Sequence, residues 1–306
     1  MKHQRAGALL MRPQWHPARD NPMKKARTAR EMEIAAAAAR PPRPQKVLLP
    51  AGEAMAMLAR RGLRPGKARF DIPFPEHLEQ EKAEQLAELL GHYSFRLFLR
   101  GAILHPEGFV PEEVTQYLKK SKSKAYAEAL VKHGFAERTP PGHYRLLRAA
   151  KSFGGTLEWY VARELGRRFG FDVAAGVRFH AHGVGGDLDV VAAAEGKLAY
   201  LELKSSPPKN LEAREVAAFF DRVQLVRPDI VLFVVDTALR LSDKVLPMLV
   251  AELERRRGGA SVVPRRIERE LWALTPHLYA VNGKLDLITN IGRALAEGLL
   301  ALAPPL

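Results

Sequence analysis

The chain has 306 residues, 48 Lys or Arg against 34 Asp or Glu, a net charge of +14 and no cysteine. Without cysteine, disulfides and thiolate zinc sites are excluded, and no apolar run approaches the length needed to cross a bilayer. A basic protein of two compact domains is expected, cytoplasmic and with a polyanionic partner.

Residues 1–46 carry eleven Lys or Arg against Asp20, Glu31 and Glu33, together with prolines and an alanine run, and read as a basic disordered arm. Met23-Lys24-Lys25 offers an internal start, and no signal-peptide core is present. Residues 47–91 read as a linker with helical pieces, including Leu78 to Leu90. Apolar spacing then predicts a helix over Tyr93–Leu104, ended by His105-Pro106-Glu107-Gly108, and a second helix opening at Val110-Pro111-Glu112-Glu113. A third fits Ser123–His133, closed by Gly134. Phe135–Arg138, the turn Thr139-Pro140-Pro141-Gly142 and His143–Leu147 complete a β-ribbon.

Three short helices and a ribbon over 92–149 resemble a winged helix-turn-helix. The resemblance implies DNA binding, with Lys119, Lys120, Lys122 and Lys124 meeting phosphates or the groove at the start of the third helix. Arg138, His143 and Arg145 would arm the wing. Protein docking or dimerisation is the other use of such a module.

The remaining residues, 150–306, predict an α/β domain. Thr156–Phe169 has helical spacing with Glu158, Ala162, Leu165 and Phe169 on one stripe. A strand near 172–180 follows, then strands at 187–194 and 198–204 about a turn at Glu195-Gly196. After Pro207-Pro208 comes a helix over Leu211–Val226 with Val216, Phe219, Phe220 and Val223 inward, and Ile230–Val235 has the continuous apolar run of a strand covered on both faces. A helix over Ser242–Arg257, displaced by Pro247, edge strands within 265–285 and a helix over Leu287–Leu302 would surround this αβββαβ order.

Folding about residues 195 and 196 pairs Ala194 with Lys197 and, carried outward, sets Asp189 opposite Glu202. Opposed residues on one face have Cβ atoms about 4.5–5.5 Å apart, so two carboxylates there share a cation or repel. Period two puts Lys204 on the face of Glu202. The bland alternative is an ordinary hairpin with a solvated polar face.

Asp189, the thirteen-residue interval and Glu202-Leu203-Lys204 resemble the PD-(D/E)xK nuclease superfamily, with its restriction endonuclease-like fold, over residues 152–236. By that resemblance Asp189, Glu202 and the carbonyl of Leu203 hold Mg²⁺, with Mn²⁺ as the substitute, and Lys204 orients water or steadies phosphate charge. Hard Mg²⁺ takes oxygen ligands and is held by one or two carboxylates plus substrate phosphate. Glu158 would be the acidic residue of the first helix, its alternative being a carboxylate favoured by the helix dipole. Leu188 stands where the Pro of the motif's name would be. Asp187 shares the face of Asp189 and is the other candidate ligand, or a partner of Lys204.

His180 and His182 read as strand-end residues, and Gly183, Gly185 and Gly186 as a turn that admits substrate. Lys209, Arg214 and Arg222 are read mainly as a solvated helix face, and Gln224 receives no role. The expectation is a Mg²⁺-dependent DNA endonuclease, with dimerisation implied by relatives that cut both strands. Its rivals are a DNA-binding regulator or accessory protein using the fold as scaffold, and an RNA-directed nuclease.

Overall fold

The tight turn expected at Glu195-Gly196 forms with both residues at positive φ, 53° and 69°. That twist matches the twist of the strands it joins. In the computed structural model, residues 52–66, 71–179 and 187–303 are described, all within one unit, Leu49–Leu306. The readings of residues 1–46, His180, His182, Gly183, Gly185 and Gly186 fall outside them.

Helices α1 (Glu53–Arg60), α2 (Gln80–Gly91), α3 (Tyr93–Ile103) and α4 (Lys120–Lys132) precede a ribbon of β1 (Ala136–Thr139) and β2 (His143–Leu146). Then come α5 (Gly154–Phe169), β3 (Asp172–Arg178), β4 (Asp187–Ala194), β5 (Lys197–Lys204), α6 (Ala213–Val226) and β6 (Ile230–Val235). The chain continues through α7 (Val245–Arg256), β7 (Arg265–Glu268), β8 (Leu271–Thr275), β9 (Leu278–Asn282) and α8 (Leu287–Leu302). Pro247 lies in the first turn of α7, where a backbone N–H has no helical acceptor to lose.

Seven strands form one mixed sheet in the order β3-β4-β5-β6-β9-β8-β7. Strands β5, β6 and β9 run parallel, and the other neighbours are antiparallel. Alternation splits the sheet into two apolar faces. Tyr200, Val231 and Phe233 pack with α1, α6 and α7, whereas Leu201, Leu232 and Val234 pack with α5 and α8. The second face is continuous with the helical region, since Phe95, Phe98, Leu130 and Tyr144 belong to the same cluster as Leu157 and Val190. The result is an α/β fold with a sheet covered on both sides.

Two expectations need correction. No helix follows Val110: residues 111–118 form turns. Phe109 is drawn into a bridge with Tyr144, N–H to carbonyl at 2.7 and 2.9 Å in the two directions. The backbone of Val114 presses on α3 so closely that a Cβ on Gly101 would fall 2.0 Å from its carbonyl oxygen. That contact replaces a helix with a close backbone approach, for which glycine is the permissive residue. The second correction concerns α5, whose buried row is Leu157, Tyr160, Val161 and Leu165. This row offers more apolar surface than the Glu158 row, so it turns inward and leaves Glu158 and Ala162 half-buried on the flank. Phe169 is largely exposed but lies against Gly292 of α8.

Candidate active site

The site is built where the β4–β5 ladder ends. Its register runs from Ala194↔Lys197 to Val190↔Leu201, as the turn dictates. One step further the Leu203 N–H donates to Asp189 Oδ2 at 2.7 Å, so a side chain continues what the backbone stops doing. Period two leaves Glu202 and Lys204 on the face of Tyr200, toward α6, whereas the alternation of β4 breaks at Asp189, since Leu188 packs on that face with Val191 and Ala193.

Glu202 is 2% exposed and has both oxygens engaged. Arg222 Nη2 donates to Oε1 at 2.7 Å and to Oε2 at 2.8 Å. The Tyr200 hydroxyl also donates to Oε2, and itself accepts from Arg222 Nε at 2.9 Å. Lys204 Nζ lies 3.1 Å from Glu202 Oε1 and 3.2 Å from Glu215 Oε1. Glu215 is placed by the capping box that opens α6, its Oε2 accepting from the Glu212 N–H at 2.9 Å.

The carboxylates influence one another strongly. Burial raises Asp189 well above the usual carboxylate range, Glu202 and then Glu158 add to the rise, and the Leu203 N–H and Lys204 oppose it. Burial, then Asp187 and then Glu202, push Glu158 up to about 7. Burial lifts Tyr200 too, followed by Glu202 and Asp189. Burial pulls against the Lys204 ammonium, but Glu202 and Glu215 outweigh it and hold the group above its ordinary value. Such crowding of like charge is what a divalent cation relieves.

Among the described residues no three of His, Cys, Asp and Glu converge closely enough to form a metal cluster. Mg²⁺ does not require one, because one or two carboxylates, a carbonyl and water complete its octahedron. The oxygen-only set of Asp189, Glu202 and the Leu203 carbonyl therefore fits a hard cation in kind. Both Glu202 oxygens are meanwhile held by side-chain donors.

Several residues stand elsewhere than expected. Asp187 pairs with Arg178, Nε to Oδ2 at 3.3 Å, not with Lys204, because β3 runs alongside at that register. Lys119, Lys120, Lys122 and Lys124 are exposed at the start of α4. Arg138 and Arg145 are exposed but ion-paired, with Glu128 and Glu137. Lys209 is exposed, Arg214 pairs with Glu212 at 2.7 Å, and the exposed Gln224 accepts from Arg256 at 3.0 Å.

Arg222 is not part of a solvated face; it is buried in the site. Its spacing signals this, three residues after Phe219 and four before Val226, both buried. Tyr200 carries the same signal, two residues before Glu202 on one strand face.

No family model matches the chain, and no curated protein does. Among solved structures it is similar to protein VC1899 from Vibrio cholerae, with a TM-score of 0.49 and 13% identity over 83% of this chain and 64% of that one. It is also similar to Can2 from Sulfobacillus thermosulfidooxidans, solved with cyclic tetra-adenylate, with a TM-score of 0.43 and 15% identity over 80% of this chain and 60% of that one. The chain thus spans less than two thirds of the length of either protein.

Proposed function

We propose that the protein is a metal-dependent endonuclease of the PD-(D/E)xK type that hydrolyses DNA phosphodiester bonds. The observation that carries the reading is the hairpin register, which brings Asp189 to the Glu202-Leu203-Lys204 segment and leaves the acids mutually strained. The element order α5-β3-β4-β5-α6-β6 is the αβββαβ order of a restriction endonuclease-like core. The four lysines at the start of α4, beside a β-ribbon, support a winged-helix surface for DNA in spite of the missing second helix.

In this reading Asp189, the Leu203 carbonyl and Glu202 hold Mg²⁺ or Mn²⁺. When bound, the cation supplies Lewis acidity toward the phosphodiester and makes water a stronger nucleophile. Arg222 and Tyr200 orient Glu202, as hydrogen-bonded neighbours orient ligating carboxylates generally. Lys204 steadies negative charge on the phosphate. Glu158, titrating near neutral pH, can take a proton from water or give one to the leaving oxygen. Water oxygen bonds to phosphorus as the opposite P–O bond breaks, and the departing oxygen leaves protonated.

A second reading is favoured by one observation: Arg222, Tyr200 and Lys204 already satisfy both oxygens of Glu202. A regulator or accessory protein that binds DNA without cutting it would be stable in this state.

The full chain, titrated with Mg²⁺ or Mn²⁺ on plasmid, branched DNA and RNA, separates these readings. The nuclease reading expects cleavage that needs metal and is lost in Asp189→Asn and in Lys204→Ala. Cleavage that survives both substitutions removes the site, DNA binding without metal-dependent nicking selects the second reading, and cutting confined to RNA changes the substrate.

A further inference from the structure

At the carboxyl end of the three parallel strands, one step past the Lys204↔Val235 pair, Asp236 donates its N–H to the Lys204 carbonyl at 2.8 Å. Its carboxylate is fully buried and receives two arginines from α3. Arg96 donates through Nε to Oδ1 at 2.9 Å, and its Nη2 forms an ion pair with the same oxygen at 2.9 Å. Arg100 donates through Nη2 to Oδ2 at 2.9 Å. The two are four residues apart, on one face of the helix.

The two guanidiniums differ in what else they touch. Arg96 is 1% exposed, and its Nη1 also donates to the carbonyls of Leu90 and Gly91, at 2.7 and 3.1 Å. The β9 end closes over it, since a Cβ on Gly283 would come within 3.3 Å of Arg96 Nη2. Arg96 and Asp236 therefore make a complete pair. Arg100 keeps 20% of its side chain accessible and has Asp236 as its one ion-pair partner among the described residues. Its Nε is buried without an acceptor. The guanidinium lies 5.1 Å from the ring centroid of Phe153, the residue that opens α5 five positions before Glu158.

One carboxylate facing two arginines leaves one positive charge over, and Arg100 is the member that solvent reaches. It stands between the residue next to β5–β6 and the start of the helix that carries Glu158. Ligands of open α/β sheets bind outside the carboxyl ends of the parallel strands, where Leu203 and Lys204 also lie.

We infer that Arg100 is a substrate-contacting residue: the helical region supplies it, and the Arg96–Asp236 pair aims it at a backbone phosphate of the nucleic acid strand entering the candidate active site. A phosphate oxygen can accept from the part of the guanidinium that solvent reaches, in the charge-assisted geometry at which arginine excels. The inference rests on the nuclease reading for the identity of the strand. It does not need the strand to be cut.

The test is therefore binding by the full chain, without metal, to fluorescently labelled DNA of several sequences across a range of salt. Arg100→Gln and Arg100→Met both leave the neutral Arg96–Asp236 pair in place, so the fold should persist and thermal unfolding serves as the check. The expected result is an approximately tenfold weaker Kd for every sequence and a salt slope smaller by about one counterion. Arg100→Lys should restore the slope with only part of the affinity. An unchanged Kd and slope in either folded neutral variant overturns the inference, whether or not the wild type cuts DNA. Absence of metal-dependent cutting by a wild type whose binding depends on Arg100 would overturn the nuclease reading and leave the contact standing.

Discussion

Two buried carboxylates at the same end of the sheet are balanced in opposite ways. Asp236 faces two guanidiniums on the side toward α3, so that region holds more positive than negative charge. Glu202 faces Arg222 and Lys204 on the side toward α6, but Asp189, Glu158 and Glu215 crowd the same neighbourhood and acid predominates. Similar residue types thus give one pole with surplus positive charge and one with surplus acid. The proposed phosphodiesterase would use the first for phosphate and the second for metal.

The largest effect that would break this comparison is on stability. Asp236→Asn leaves two arginines without a counter-charge, and a loss of about 3–5 kcal/mol in urea unfolding is expected, the usual cost of stranding a buried charge. Glu202→Gln also strands buried Arg222 and sets an amide nitrogen against donors, but it removes one of several crowded acids, so its loss should be the smaller of the two. Equal losses would mean that the two regions are balanced alike.

A smaller effect has a distinct pH signature. Because Glu158 is held at about 7 against a usual 4.5, the folded protein keeps a proton that the unfolded chain has already released. Stability should therefore fall as pH rises from about 4.5 to 7 and stay lower above that. Glu158→Gln removes the penalty: a gain on the order of 2 kcal/mol at pH 8, after allowing for solvent screening, and none at pH 4. A constant difference across the whole range would show that the strain is steric. Smallest of the three, Tyr200→Phe deletes a hydroxyl that bridges Arg222 and Glu202, at a cost of about 1 kcal/mol, and should leave the pH profile of Glu158 in place.

How much of this could be read beforehand follows from the range of the interactions. The β4–β5 register was legible because a two-residue turn and a period of two leave no freedom, and α8 spans the expected Leu287–Leu302 because its apolar spacing is uninterrupted. On α5 the expected stripe and the buried row share Leu165 and differ elsewhere, since choosing between adjacent rows depends on what packs opposite. A charged residue on a helix is usually solvated, and only the phase of Arg222 with Phe219 and Val226 reveals its burial. Nothing local ties Arg96 and Arg100 to Asp236, about 140 residues away. The turns over 111–118 likewise reflect a contact with Gly101, not the propensity of the segment.

Whether Asp189 helps seat a divalent cation beside Glu202 and Lys204 can be read from metal binding itself. Titrating the full chain into Mn²⁺ at pH 8 and following the electron paramagnetic resonance of the free ion should show saturable depletion for the wild type. Asp189→Asn should abolish that depletion while the protein stays folded. Depletion of equal strength in both proteins would contradict it.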